Sequence, residues 1–144
     1  MNCMSAVVFV DTHILIYAHD ADAGSKRTRA EAILRERGGS GDGRLSVQVL
    51  QEFYVNATRK LATPIAQMSA REVVSSYSAW VREPTTADTV SRAIDVAALA
   101  QMSFWDALIV ASAEQADATR IYSEDLNAGQ AIAGIRIANP LSTA

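Results

Sequence analysis

Hydrophobic residues along this chain occur in two patterns, short unbroken runs and longer stretches with helical spacing. The first unbroken run, Ala6 to Val10, is apolar and largely β-branched, which is typical of a strand buried on both faces of a parallel sheet. Short strands are also predicted at Arg120 to Ser123 and Ile135 to Ala138, with a further candidate at Arg44 to Ser46.

Between these strands, apolar residues recur every three or four positions, as on one face of a helix. The predicted helices are a short one from Thr12, Lys26 to Arg37, one from Val49 to Leu61, Ser69 to Arg82, Thr86 to Met102 and Phe104 to Ala116. Glycines at Gly38 to Gly43, and the prolines Pro64 and Pro84, are expected to separate helices. Strands that alternate with helices predict an α/β sandwich, with a mainly parallel sheet covered by helices on both faces.

Composition favours one cytoplasmic domain. The chain has 144 residues, of which 49% are hydrophobic, so residues 1–144 are expected to build one core without disulfides. Cys3 is the single cysteine, and no Lys or Arg precedes the first apolar run as it would in a secretory signal. No apolar stretch reaches the roughly 18 residues of a membrane span. We therefore expect a soluble protein in a reducing cytoplasm, without a membrane partner.

The net charge of −3 bears on nucleic-acid binding. Binding to a phosphate backbone depends on Lys and Arg, so this charge disfavours nonspecific coating of RNA or DNA. It does not exclude a metal-dependent nuclease. If four of the acids gather around a divalent cation, the rest of the chain is close to neutral, and the cation adds positive charge at the site.

Three acids stand where such a site would form. Asp11 follows the first strand, Asp125 follows the strand at Arg120 to Ser123, and Asp106 lies in the first turn of an apolar helix. In parallel sheets, ligands bind outside the carboxyl ends of the strands. Each acid also has a structural alternative: Asp11 as a helix N-cap, Asp106 in a capping box with Ser103, and Asp125 in a cap or Asx-turn.

Glu52 is the weakest of the four candidates. It lies about 130° around an ideal helix from the apolar face, so a solvated surface is its default position. The polar stripe Gln48, Glu52, Asn56 and Arg59 is equally able to line a cleft. Clustered carboxylates repel unless a cation neutralises them, which favours Mg²⁺ or Mn²⁺. Zinc is disfavoured, because one Cys and two His residues are too few nitrogen and sulfur ligands.

The segments FVDTHILIYAHD, QEF, SFWDALIV and YSEDLNAG, in this order and at this separation, resemble the PIN-domain ribonucleases. The resemblance is closest to the VapC toxins of bacterial toxin–antitoxin pairs and spans nearly the whole chain. It implies a PIN-like three-layer sandwich. It also implies that Asp11, Asp106 and Asp125 hold Mg²⁺, for which Mn²⁺ can substitute. Glu52 would complete the acidic pocket, and Thr12 would place a hydroxyl beside the metal.

The same resemblance implies hydrolysis of RNA phosphodiester bonds, a cognate antitoxin that covers the active site, and a toxin homodimer. His13 stands where this family most often has Asn or Ser, and we expect it to be structural or solvent-facing rather than a general base. Large apolar side chains could serve an interface but are expected in the core: Trp80, Phe104 and Trp105. A basic run could contact RNA or form a solvated helix face: Lys26, Arg27, Arg29, Arg35 and Arg37.

Two other functions are compatible with these residues. A different Mg²⁺-dependent phosphohydrolase, or a DNA nuclease, would use the same acids, because metal chemistry does not distinguish these substrates. A nonenzymatic α/β binding module, such as a receiver-like domain, is the second alternative. The sequence speaks against a receiver domain, because Asp11 follows Val10 directly and no second acid accompanies it.

Overall fold

The computed structural model describes residues 6–142, and a five-stranded sheet lies at its centre, with strand order β2-β1-β3-β5-β4. The strands are β1 Val8–Val10, β2 Gly43–Arg44, β3 Arg120–Tyr122, β4 Ala131–Ile132 and β5 Ile135–Ala138. Strand β1 pairs in parallel with β2 and β3, and β3 pairs in parallel with β5. Strand β4 pairs antiparallel with β5. The predicted, mainly parallel sheet is confirmed.

Six α-helices connect or flank the described strands. They are α1 Thr12–Ala18, α2 Ser25–Ser40, α3 Val47–Arg59, α4 Gln67–Tyr77, α5 Ala87–Ala100 and α6 Phe104–Gln115. Helix α1 packs against α2 and α3, α5 packs against α6, and α6 contacts β3 and β5. All three side chains of β1 are buried, so both faces of this strand are covered. The predicted α/β sandwich, with helices around a mainly parallel sheet, is therefore confirmed.

The apolar faces predicted from the helical spacing form the core. On α3, Val49, Phe53 and Ala57 are completely buried at four-residue intervals. Helix α6 is buried continuously from Ala107 to Ala113, because it packs between α5 and the sheet. Its burial explains why this helix is apolar on nearly all sides.

Several predicted boundaries were wrong. Helix α2 continues through the glycines as far as Ser40 and ends at Gly41, whose left-handed backbone closes the helix. Helix α4 ends at Tyr77 and continues as a short 3-10 helix, Ser78–Trp80, rather than reaching Arg82. Strand β4 has only two residues, and its sequence carries no strand pattern that could have predicted it.

Strand β2 begins one residue earlier than predicted, at Gly43. A β-carbon at this position would lie 2.5 Å from the indole ring of Trp80, so glycine is required for close packing. Trp80 therefore packs against the core, as expected for this side chain.

Within residues 6–142, no single helix is long and apolar enough to cross a membrane. Helices α5 and α6 would reach that length only together, and their axes differ in direction by 116°. Cys3, on which the disulfide prediction rested, lies outside the described residues.

Candidate active site

All four predicted acids line one pocket of about 430 Å³. Asp11 and Asp125 enter it from beyond the carboxyl ends of β1 and β3, Glu52 from α3 and Asp106 from the first turn of α6. Thr12 and His13 line the same pocket. The topology brings these side chains together because β1 and β3 are parallel neighbours, and their ends therefore meet at one edge of the sheet.

Asp11 is the most deeply buried of the four acids, with 7% of its surface exposed. It is the N-cap of α1, and its carboxylate accepts hydrogen bonds from the Thr12 backbone N–H at 2.7 Å and the Ser123 hydroxyl at 2.8 Å. Burial raises the pKa of Asp11, and the charges of Asp125 and Glu52 raise it further, while the two hydrogen bonds oppose the shift. The capping role and the position in the pocket therefore both apply to this residue.

Ser123 supports two of the acids and was missed as a site residue by sequence reasoning. Its hydroxyl is fully buried, donates to Asp11, and accepts hydrogen bonds from the backbone N–H groups of Asp125 and Leu126, both at 3.1 Å. One side chain thus fixes Asp11 and the turn that carries Asp125. The sequence signalled only a turn-forming serine, because its contact with Asp11 joins residues 112 positions apart.

Glu52 does not occupy the solvated helix surface that was its default prediction. The Thr12 hydroxyl donates to its carboxylate at 2.6 Å, and the Gln48 amide donates to it at 3.3 Å. Gln48 is buried and also donates to the backbone carbonyl of Trp105 at 3.2 Å. Gln48, Glu52 and Asn56 of the predicted polar stripe line the pocket, which supports the cleft interpretation of that stripe.

Asp106 forms only half of the predicted capping box. The Ser103 hydroxyl accepts a hydrogen bond from the Asp106 backbone N–H at 3.1 Å, so Ser103 caps α6. In the described part of the chain the Asp106 carboxylate accepts no hydrogen bond from the Ser103 backbone N–H, which a complete capping box requires. This carboxylate therefore lines the pocket without being used to cap the helix.

Asp125 is paired with His13, whose Nδ1 lies 2.7 Å from the Asp125 carboxylate. Both side chains are partly exposed at the mouth of the pocket. His13 was expected to be structural or solvent-facing rather than a general base; its side chain is 40% exposed and contacts one of the four acids. Since His13 lies on α1 and Asp125 beyond β3, only the folded chain reveals this pair.

A family model supplies the identification, since the PIN domain model matches residues 8–131 of this chain. The chain belongs to the PIN domain family. The matched region contains all four acids and every helix described above. No curated protein sequence matches the chain.

Two solved structures resemble this PIN domain in fold. VapC20 of Mycobacterium tuberculosis, a sarcin-ricin loop cleaving toxin, has a TM-score of 0.60 at 22% identity, over 82% of this chain and 89% of that chain. VapBC2 of Rickettsia felis, bound to a DNA fragment from their promoter, has a TM-score of 0.58 at 12% identity, over 91% and 96% of the two chains. At sequence identities of 22% and 12%, these comparisons show similarity of fold alone.

The acids of this PIN domain are held mainly by protein groups. Within residues 6–142, no three His, Cys, Asp or Glu side chains are arranged closely enough to hold a metal ion. Asp11 is bound by Ser123, Glu52 by Thr12, and Asp125 by His13. These carboxylates would have to give up part of their present contacts in order to share one cation.

Beside the pocket, Glu124 joins three elements of the PIN domain. It accepts hydrogen bonds from the Tyr17 hydroxyl and from Lys26 Nζ, the latter at 2.6 Å. Burial alone would raise the pKa of Glu124, but the hydrogen bonds from Lys26 and Tyr17 outweigh it and hold the pKa below its usual value. These contacts anchor the turn that contains Asp125.

Most of the predicted basic run has partners within the protein. The pairs are Lys26 with Glu124, Arg27 with Glu31, Arg29 with the carbonyls of Pro140 and Ser142, and Arg37 with Glu36 and Asp42.

The prediction that large aromatic residues lie in the core is wrong for Trp105, which is 63% exposed and lines the acidic pocket.

Proposed function

We propose that this PIN domain is a Mg²⁺-dependent endoribonuclease and the toxin of a toxin–antitoxin pair. The observation that carries the proposal is the convergence of Asp11, Glu52, Asp106 and Asp125 on one pocket at the carboxyl edge of the sheet. Membership of the PIN domain family and the fold similarity to VapC20 agree with it.

The chemistry of the pocket suits a hard divalent cation. Its acids offer the oxygen ligands that Mg²⁺ and Mn²⁺ prefer. The raised pKa of buried Asp11, caused by burial and by neighbouring carboxylates, is the electrostatic penalty that a cation would remove. Asp11, Asp106 and Asp125 would hold the ion, with Glu52 completing the pocket.

When bound, the ion supplies Lewis-acid activation of the attacking water and neutralises charge that develops on the phosphate. The protein groups position the acids for this task. Ser123 orients the Asp11 carboxylate, Thr12 orients Glu52, and His13 holds Asp125 at the pocket mouth. The carboxylate of Asp106 has no hydrogen bond or ion pair within residues 6–142, so it is the most free of the four to move toward a ligand.

An antitoxin and a homodimer form part of the proposal. A second, apolar pocket of about 560 Å³ lies between α3 and α4, and it shares Gln51 and Val55 with the acidic pocket. A protein segment bound there would lie beside the acids. This neighbourhood supports an antitoxin that covers the active site, and copurification of the two chains after coexpression would test it.

The decisive experiment incubates the antitoxin-free protein with total cellular RNA, in Mg²⁺, in Mn²⁺ and in EDTA. Asp11→Asn and Asp106→Asn are tested in parallel, with Asp117→Asn as a matched control on an exposed acid that does not line the pocket. We expect discrete cuts that require the metal and both pocket acids but not Asp117. Sedimentation of the same samples measures whether the protein is a dimer.

Different results would select an alternative. Cleavage that persists in Asp11→Asn or Asp106→Asn would overturn the assignment of these acids. Cleavage of DNA or of a small phosphoester, but not of RNA, would favour the other hydrolases. If no substrate is cut and millimolar Mg²⁺ leaves the melting temperature unchanged, the binding-module alternative gains support.

A further inference from the structure

Trp105 is an exposed aromatic side chain next to the acidic pocket. It immediately precedes Asp106 in the first turn of α6, lines the pocket, and is 63% exposed. Its ring packs edge-on against Phe104, with centroids 5.1 Å apart and planes at 78°. An edge-on neighbour braces the indole, and the exposed surface of the indole remains available for another planar group.

The backbone beneath this indole is firmly held. Ser103 caps α6, and the carbonyl of Trp105 accepts a hydrogen bond from the buried amide of Gln48. Gln48 also donates to Glu52, so one side chain links the position of Trp105 to one of the acids. The indole is therefore presented from a rigid part of the site.

The pocket continues from Trp105 along α3, and we call this stretch the α3 groove. On α3 it is lined by Gln48, Gln51, Glu52, Val55, Asn56 and the helix-terminating Lys60. From Gln48, which contacts Trp105, to Lys60 the helix axis rises about 18 Å at roughly 1.5 Å per residue. The α3 groove thus has an aromatic group at the end near Gln48, the acid Glu52 one turn further along α3, and the cation Lys60 at the other end.

Lys60 differs from most of the basic run on α2. Its side chain is exposed and forms no ion pair within residues 6–142. It is therefore a positive charge in a pocket otherwise lined by acids, and it has no ion-pair partner in the described part of the chain. A phosphate group is the ligand that this charge would attract.

We propose that the α3 groove binds a single-stranded RNA segment, with one nucleobase stacked on Trp105 and a backbone phosphate on Lys60. The proposal rests on the proposed ribonuclease function and identifies the part of the substrate that the acids do not contact. Aromatic stacking combined with phosphate contacts is the usual way in which proteins bind single strands with little sequence preference. A paired duplex would not present a free base face to the indole.

The test uses the Asp11→Asn protein in Mg²⁺ and a fluorescein-labelled single-stranded RNA of about 12 nucleotides, together with the same oligomer containing abasic positions. Anisotropy measures binding and intrinsic tryptophan fluorescence measures stacking. The chain has two tryptophans, so the Trp105 signal is the difference between this protein and its Trp105→Phe variant. Trp80 is partly buried against the core, and its signal is common to both proteins and cancels in the difference.

We expect RNA to quench Trp105 and the abasic oligomer to bind without quenching. Trp105→Ala should weaken RNA binding by about 5- to 100-fold, with Trp105→Phe closer to the parent. Leu99→Ala, at an 81% exposed residue away from the groove, is the matched control and should bind normally. Lys60→Gln should reduce the slope of log affinity against log salt by about 0.7, whereas Arg120→Gln, at the amino end of β3, should not.

The α3 groove proposal would be overturned if RNA bound without quenching Trp105 and bound equally well after Trp105→Ala. If the wild-type protein still cleaved that RNA, the proposed ribonuclease function would remain. A change in sedimentation of Trp105→Ala at unchanged RNA affinity would overturn the α3 groove proposal in favour of a protein contact at the indole. Quenching by RNA that the wild-type protein never cleaves would support the groove and overturn the nuclease. Absence of both binding and cleavage would overturn both.

Discussion

The Ser123 hydroxyl offers a sharp test of how the acidic pocket is held together. It is fully buried and makes three hydrogen bonds, one to the Asp11 carboxylate and two from backbone N–H groups. Ser123→Ala removes all three bonds and adds no bulk. We expect the variant to lose stability and the Asp11 carboxylate to lose its orientation.

The expected loss of unfolding free energy in Ser123→Ala follows from the types of hydrogen bond that are removed. A hydrogen bond to a charged group contributes about 1.5–3 kcal/mol, and a bond to a neutral group about 0.5–1.5 kcal/mol. Allowing for relaxation of the turn, the free energy of unfolding should fall by about 2–4 kcal/mol. With an unfolding entropy of roughly 0.3 kcal/mol/K for a chain of this length, the melting temperature should fall by about 7–13 °C.

Ser112→Ala is the matched control. Ser112 is also buried, on α6, but its hydroxyl has no hydrogen-bond partner in the described part of the chain. Removing an unpaired buried hydroxyl should leave the stability unchanged or raise it slightly. Both variants are measured by urea unfolding and calorimetry in EDTA. A free energy of unfolding for Ser123→Ala within about 1 kcal/mol of wild type would contradict this role of the hydroxyl, and so would an equal loss of stability in Ser112→Ala.

Three further predictions concern the neighbouring groups. Thr12→Val removes the hydroxyl that holds Glu52 and should lower RNA cleavage about tenfold, with some loss of stability, whereas Thr12→Ser retains activity; equal activity of the two variants would contradict this. The raised pKa of Asp11 means that its ionised form destabilises the metal-free fold at neutral pH, and that this penalty fades as the pH falls through the folded pKa. Any gain in unfolding free energy from Asp11→Asn in EDTA should therefore shrink between about pH 7 and pH 4. A gain that grows on acidification would contradict the upward direction of the pKa shift of Asp11. The pKa of Glu124 is lowered in the folded protein. Its contribution to the free energy of unfolding is therefore present when the pH is above its pKa in the unfolded chain, and is lost as the pH falls through its pKa in the folded protein. Glu124→Gln should accordingly lower the melting temperature more at pH 7 than in acid, and an equal loss at both would argue against the contact with Lys26.

The fold class and the approximate location of three of the acids could be predicted from local sequence patterns. An unbroken apolar run reveals a buried strand, and helical spacing reveals the faces of α3 and α6, because both signals are local in the chain. Asp11 and Asp125 lie just beyond strands, and Asp106 lies in the first turn of an apolar helix, so their places could be predicted from neighbours a few residues away. The precise ends of α2 and α4 could not, since they depend on Gly41 and on the 3-10 turn leading to Trp80.

The contacts of each acid depend on residues far away in the chain and could not be predicted from local patterns. The helical pattern predicted a surface position for Glu52, because it contains no information on the hydrogen bond from Thr12, which lies 40 positions earlier in the chain. Ser123 reaches Asp11, and His13 reaches Asp125, across comparable or greater separations, because β1 and β3 are adjacent. Periodicity reports which side of an element faces the core, whereas the partners of a buried polar group depend on elements brought together by strand order and helix packing.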